Sequence, residues 1–368
     1  MRLALIIWIG IHAIIHLFGF FKSFGIFEFS AISQPISKTL GLLWLLGFVL
    51  FAITVVLLIA QSNYWFIMGM MGVIISQFVI INHWSDAKFG TIANLFISMA
   101  IIVAYSNFSF KSTIKKERIA LFKNLEPTKD DMVTKEALVN LPPVVQKWLT
   151  HSGVIGKPYI SSVHLVQELK LKMKPEQAAW YTGRAEQYIT VEPPGFNWSI
   201  TTQMNPVLKV AGRDKFENGK GEMTIKLLSL IPVAQAKNDK KLNQAALQRY
   251  LAEIVWLPSA SLSSYIKWES IDSHSAKATM AYKGTIGSGE FYFDENGNFI
   301  KFVAMRYQDS KASEATRWTV VATKTEERNG IKIPVECEAS WALKEGEWTW
   351  LKLEITDIQY HVTEISND

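Results

Sequence analysis

The chain has 368 residues, 49% of them apolar, with 38 Lys and Arg against 33 Asp and Glu and a formal charge of +5. That excess is dispersed rather than gathered into a basic stripe, which argues against a nucleic-acid partner. The single Cys337 excludes an internal disulfide.

The mean hydropathy of +0.12 averages two unlike parts. Residues 1–108 hold six charged side chains (Arg2, Lys22, Glu28, Lys38, Asp86 and Lys88), while the remainder reads as an ordinary soluble composition. Four apolar stretches, Leu3–Phe21, Leu40–Ala60, Tyr64–Ile81 and Thr91–Phe108, each approach the ~20 residues that cross a hydrocarbon core as a helix. The first is too long for a typical signal-peptide core and lacks a cleavage site of small residues, so it reads as a retained span. Gln61-Ser62-Asn63 predicts a tight turn, and Trp44, Trp65 and Trp84 sit near span ends like an aromatic belt. Lys and Arg at the span ends favour a cytoplasmic N-terminus, which after four spans leaves the soluble part cytoplasmic. The dense group Lys111, Lys115, Lys116, Arg118 and Lys123 reads as a topology signal facing lipid headgroups.

His12 and His16 are four apart and share a face of the first span. Ionisable groups there are costly and mark function or interhelical bonding. His83 and Asp86 fall at the matching end of the third span. Together His12, His16, His83 and Asp86 could ligate a transition metal, or the histidines a haem; the alternative is hydrogen bonding between helices. On this topology they lie across the membrane from the soluble part.

Three regions are expected: a transmembrane block over 1–110, a charged linker over 111–133 with a hinge near Pro127, and a soluble domain over 134–368. Ile114 to Thr134 reads as connector. Helix is predicted from Thr134 to His151, divided by Pro142-Pro143. The period then changes from 3.6 to 2: Leu165, Gln167, Leu169, Leu171 and Met173 alternate with polar neighbours as on a half-buried strand. Further strand patterns, including one starting at Val207, and hairpin signals at Asn218-Gly219, Asn296-Gly297, Asn329-Gly330 and Glu345-Gly346 predict ten to twelve antiparallel strands. One amphipathic helix, Lys240–Trp256, interrupts them. The fold class expected is α+β: four transmembrane helices, then a large curved antiparallel sheet, an open half-barrel, with one or two packed helices.

The run Arg249-Tyr250-Leu251-Ala252-Glu253, with Trp256-Leu257-Pro258, Leu141-Pro142-Pro143-Val144 and Trp148 to Gly153, resembles an uncharacterised bacterial membrane-protein family. The resemblance covers most of residues 138–361 and brings no activity. In architecture the pattern is similar to LolA-type lipoprotein carriers and RseB-type sensors. That likeness implies acyl chains held between a concave sheet and a helical lid, in domains that work outside the cytoplasm.

Two readings apply to the candidate residues. Arg249 and Glu253 can pair on the helix, or Arg249 can grip a phosphate or carboxylate headgroup. The dense aromatics are sheet packing or the wall of an apolar pocket. Arg249, Tyr250, Glu253, Trp256, Trp198 and Trp268 are therefore the candidate ligand-binding set. The scattered histidines and Cys337 form no catalytic constellation, and Gly284, Gly287 and Gly289 suit a turn or bulge better than a dinucleotide loop. The leading expectation is a membrane-anchored carrier or sensor that binds a lipid or other apolar molecule. The alternatives are a metal, haem or redox site at the span histidines, and a protein-interaction module without ligand.

Overall fold

A computed structural model describes residues 2–29, 32–123, 125, 131–205 and 208–365. The expected hinge at Pro127, the strand start at Val207 and the last three residues of the 134–368 domain lie outside that set. The chain divides into two compact units, Met1–Lys111 and Ser112–Asp368.

The first unit contains α1 (Arg2–Ser23), α2 (Lys38–Ile59), α3 (Trp65–Asn82), the short α4 (Trp84–Ala87) and the start of α5 (Gly90–Lys123). By length and composition α1, α2, α3 and α5 can each cross a membrane. The turn expected between α2 and α3 is present, with Gln61 at φ 60°. Ile9, Ala13, Phe51, Leu58, Phe66, Ile97 and Ile101 form one core cluster of the unit, and Ile36, Trp44 and Val79 another. Outward residues such as Ile7, Val56, Ile74 and Leu95 stay exposed, as lipid-facing positions do.

Helix α5 does not stop where its apolar stretch stops. It runs on to Lys123, so the connector expected from Ile114 is helical for its first ten residues. The residues there are good helix formers, and Ile114, Arg118 and Leu121 form a buried stripe along it. Arg118 is therefore not a headgroup contact. It donates to Glu186 at 2.7 Å, Ser199 at 2.7 Å and Asn197 at 3.2 Å, and its guanidinium lies 4.8 Å from the Tyr188 ring.

The second unit opens with a 3₁₀ turn, Glu136–Leu138, and α6 (Pro143–Ser152). Proline starts α6 and Gly153 ends it at φ 78°. Thirteen strands follow: β1 (Ser162–Leu171), β2 (Tyr181–Thr190), β3 (Gly195–Gln203), β4 (Lys209–Glu217), β5 (Lys220–Leu227), β6 (Ile231–Lys237), β7 (Ile266–Ser270), β8 (Ser275–Tyr282), β9 (Thr285–Phe293), β10 (Phe299–Arg306), β11 (Thr316–Arg328), β12 (Ile331–Leu343) and β13 (Gly346–Tyr360). Helix α7 (Lys240–Glu253) connects β6 to β7. Asp239 caps it, accepting from the Leu242 amide.

All thirteen strands form one antiparallel sheet in the order β6-β5-β4-β3-β2-β1-β13-β12-β11-β10-β9-β8-β7. Two meanders thus join where β1 pairs with β13, and α7 carries the chain from one sheet edge to the other. The helix packs against β4 and β5 and also against β8, β9 and β10. In a flat sheet β5 and β9 would stand roughly 40 Å apart at ~4.8 Å per strand, and a helix is about 10 Å wide. The sheet must therefore curl around α7. Gly221 and Gly287 allow the approach: a Cβ on Gly221 would fall 2.7 Å from Ala246, and one on Gly287 2.9 Å from Leu247 and Gln248. The wings also meet directly, where Thr285 donates to the Gly219 carbonyl at 2.7 Å. This is the α+β architecture expected, with one more strand than the sequence suggested.

Candidate functional site

In the first unit, His12, His16, His83 and Asp86 border one largely apolar cavity of about 540 Å³. They do not assemble as metal ligands. Among the described residues no group of three or more His, Cys, Asp or Glu is disposed to hold a metal ion. His12 Nε2 lies 3.0 Å from Asn94 Oδ1 and 3.2 Å from Ser76 Oγ. Asn94 in turn donates to Gln77, and Gln77 to Thr91. His16 Nδ1 lies 2.8 Å from the His12 carbonyl oxygen, while its Nε2 is pressed against α2, 3.4 Å from where a Cβ on Gly47 would sit. Asp86 accepts from the Ser33 amide and hydroxyl and the Gln34 amide at 2.8–2.9 Å. The bonds of His12 and Asp86 hold helices and a loop together, as in the interhelical alternative left open by the sequence, whereas among the described residues His16 and His83 bond only carbonyls four residues earlier, His12 and Val79.

In the second unit a mainly apolar cavity of about 240 Å³ lies between α7 and the concave face. Strand alternation supplies its wall. Leu169 and Leu171 come from β1, Trp198 and Ile200 from β3, Val210 and Gly212 from β4, Trp318 and Val320 from β11, Cys337 and Ala339 from β12, and Trp350, Leu351 and Leu353 from β13. A second, more polar hollow of about 390 Å³ lies between β6, α7 and the β10–β11 loop. The two share Asp214, Met223, Arg249 and Arg306, so the polar hollow forms a mouth to the apolar interior.

Arg249 stands at that junction. Its Nε donates to Glu253 at 2.7 Å, Nη1 to Asp214 at 3.0 Å and Nη2 to Gln187 at 3.4 Å. Its guanidinium lies over Phe196 and Trp198 at 4.8 and 4.9 Å. Gln187 also donates to Glu253, and Trp198 Nε1 to Gln167 at 2.9 Å. Burial alone would weaken Arg249's hold on its proton, but Glu253 and Asp214 more than offset this, and its pKa is raised. Burial raises the Asp214 carboxyl against the pull of Arg249, Arg306 and Arg213.

Arg306 is different. It donates through Nε to the Ala245 carbonyl at 3.0 Å and lies 4.6 Å from the Trp318 ring. Burial and the nearby Arg249 bring its pKa down to about 10, though Asp214 and Glu253 pull the other way.

Of the six residues expected at a ligand site, Arg249, Glu253, Trp256 and Trp198 line the cavity. Tyr250 and Trp268 do not. Tyr250 faces the core and donates to the Thr190 carbonyl at 3.0 Å. Trp268 packs on Phe291 and donates to the Ser261 carbonyl. The sequence reading missed Asp214 and Arg306, although a signal was present. Asp214 shares strand parity with Val210 and Gly212, and Arg306 with Phe302 and Ala304, which places both charges on the inward face.

A family profile described as a family of unknown function, DUF6920, matches residues 139–360, which include every residue lining the smaller cavity. The chain belongs to that family. No curated protein matches it. Among solved structures, a LolA superfamily protein from Nitrosomonas europaea is similar at 14% identity with a TM-score of 0.35, covering 59% of this chain and 94% of its own. A β-barrel-like protein of another family of unknown function, DUF1849, from Brucella abortus, is similar at 8% identity with a TM-score of 0.23, covering 55% and 99%.

Cys337 gives this DUF6920 member an internal reporter on the cavity wall. It is 2% exposed, and burial, with a smaller contribution from Glu336, pushes its thiol up to about 12. At pH 8 the thiolate fraction then drops from roughly a quarter for a free cysteine to on the order of 10⁻⁴. Iodoacetamide at pH 8 is expected to leave the native chain unlabelled for hours and to label it fully in denaturant. Native labelling at the rate of a free thiol would show that water reaches this wall.

Proposed function

We propose that this chain is a membrane-anchored binding protein whose curled sheet holds a lipid-derived or other apolar molecule, as a carrier or sensor. The observation that carries the reading is the apolar cavity behind a polar mouth, walled by residues from both meanders and covered by α7. A solid sheet–helix core would close such a space, because interiors pack to crystal-like density. At about 240 Å³ the cavity lies just below the roughly 300–1,000 Å³ of pockets that enclose drug-sized ligands, which suits one chain rather than several. The four apolar helices would anchor the protein in a bacterial inner membrane. The charge balance at the span ends supports a cytoplasmic position for the second unit.

The test is mass spectrometry of small molecules released from the full chain, purified from native membranes and exchanged into nanodiscs of one synthetic phospholipid. Wild type should release one defined apolar molecule at close to one per chain. Val320→Trp fills the cavity from β11 and should lose at least about nine-tenths of it. Equal content in the two proteins would sink the reading.

A further inference from the structure

The two arginines at the junction of mouth and cavity have unequal surroundings. Arg249 has a protein acceptor for each of its three nitrogens, and it takes both nearby carboxylates, Asp214 and Glu253. Arg306 stands on the last residue of β10, on the inward face, with its guanidinium 4.6 and 5.7 Å from the neighbouring Trp318 and Trp341 rings. Its Nε bonds the Ala245 carbonyl. Its two terminal nitrogens meet no acceptor among the described residues, and the side chain lines both hollows. The mouth's lining carries five cationic residues and three carboxylates. A half-buried guanidinium with free terminal donors, fixed by stacking and by one backbone bond, is preorganised for a planar or tetrahedral anion. The apolar wall begins beside it.

We propose that Arg306 is the headgroup site of the cavity, and that its ligand is a single-chain amphiphile with an anionic end, a carboxylate or a phosphate monoester. The anion meets the terminal nitrogens of Arg306 at the mouth. The chain runs inward past Trp318 and Val320 toward Leu169 and Leu353. This rests on the binding function proposed above and adds the ligand's charge, its chain number and the residue that reads its head. Arg249 instead positions α7 and the two carboxylates.

The test uses the full chain in nanodiscs and three probes of equal chain length: ω-bromoundecanoate, ω-bromoundecyl phosphate and uncharged ω-bromoundecanol. Bromine quenches the cavity tryptophans, and the cavity-filled Val320→Trp chain supplies the background from partition into the nanodisc. In wild type, at least one anionic probe should quench saturably at a concentration about 10- to 100-fold below that of the alcohol, as charged hydrogen bonds of ordinary strength provide. Whichever anion binds more tightly separates a fatty acid from a phosphate-headed lipid. Arg306→Gln should remove that preference, and Arg306→Lys should keep part of it. Saturable but equal quenching by all three probes in wild type would overturn the headgroup assignment while leaving the cavity reading intact. Quenching no greater than in Val320→Trp for every probe would overturn both. The wild-type comparison decides even if Arg306→Gln does not fold.

Discussion

Arg249→Met destabilises the second unit by about 3–5 kcal/mol, the range found when one partner of a buried ion pair is removed. On a unit of this size that lowers the thermal midpoint by roughly 6–20 °C. The reason lies less in the lost attraction than in what stays behind. Asp214 and Glu253 both bond Arg249, and their side chains are 30% and 11% exposed. Without the guanidinium two carboxylates share one partly dry site. The triple variant Arg249→Met, Asp214→Asn, Glu253→Gln should therefore recover most of the loss, because neutral amides tolerate the same burial. The effect also has a pH sign. Burial already holds Asp214 above its ordinary range, and removing Arg249 pushes it further the same way. A carboxyl whose folded pKa is raised stabilises the fold below its unfolded pKa, and that contribution is lost as pH rises through the folded value. The deficit of Arg249→Met should thus shrink on acidification toward the carboxylate range and be largest at neutral pH. Thermal melts of the wild type, the single and the triple variant across pH measure it. A single variant as stable as wild type at neutral pH would mean that water already solvates the two carboxylates.

The elements that the sequence revealed were those whose local chemistry agrees with their place in the fold. Asn218-Gly219 and Asn329-Gly330 mark hairpins because both residues of each turn take positive φ, 52° and 75° in one and 53° and 72° in the other, which Asn and Gly accept readily. Strand β6 escaped for the converse reason. Its turn uses Leu228 and Ser229 at φ 53° and 57°, residues that give no turn signal, and the strand is a sheet edge with Ile231 and Val233 left exposed. Helix α5 was cut short because apolarity was read as the limit of the helix, whereas Arg118 and Leu121 bury against the second unit's sheet. The candidate site was half legible. Composition and helix spacing pointed to Arg249, Glu253, Trp256 and Trp198, which line the cavity. Asp214 and Arg306 come from β4 and β10, on opposite wings of the sheet. Sequence spacing shows that each faces inward, but their meeting across α7 depends on the sheet's curl, which is a tertiary property. Tyr250 was misplaced because a helix held within a curled sheet is buried on several faces, so neighbours in sequence need not share a cavity.

Phe291→Ala is expected to cost about 3–5 kcal/mol, as truncation of a fully buried aromatic does, while Trp350→Ala on the cavity wall costs about 1–2 kcal/mol, an ordinary substitution. The contrast follows from what each ring touches. Phe291 is completely buried, with Phe302 at 4.8 Å, Trp268 at 5.0 Å, Phe299 at 6.0 Å and Trp148 at 6.1 Å between ring centres. Removing it leaves a void that α6, β7 and β10 can refill only by moving. Trp350 borders the cavity between the sheet and α7, so part of its surface already lacks packing partners, and its loss enlarges an existing space. Equilibrium unfolding of the two variants separates the roles that a dense aromatic composition can serve. A large cost at Phe291 with a small one at Trp350 means that one part of the sheet is packed solid and the other is kept open. Equal, large costs would mean that the cavity closes in solution, and the wall aromatics would then be core like the rest.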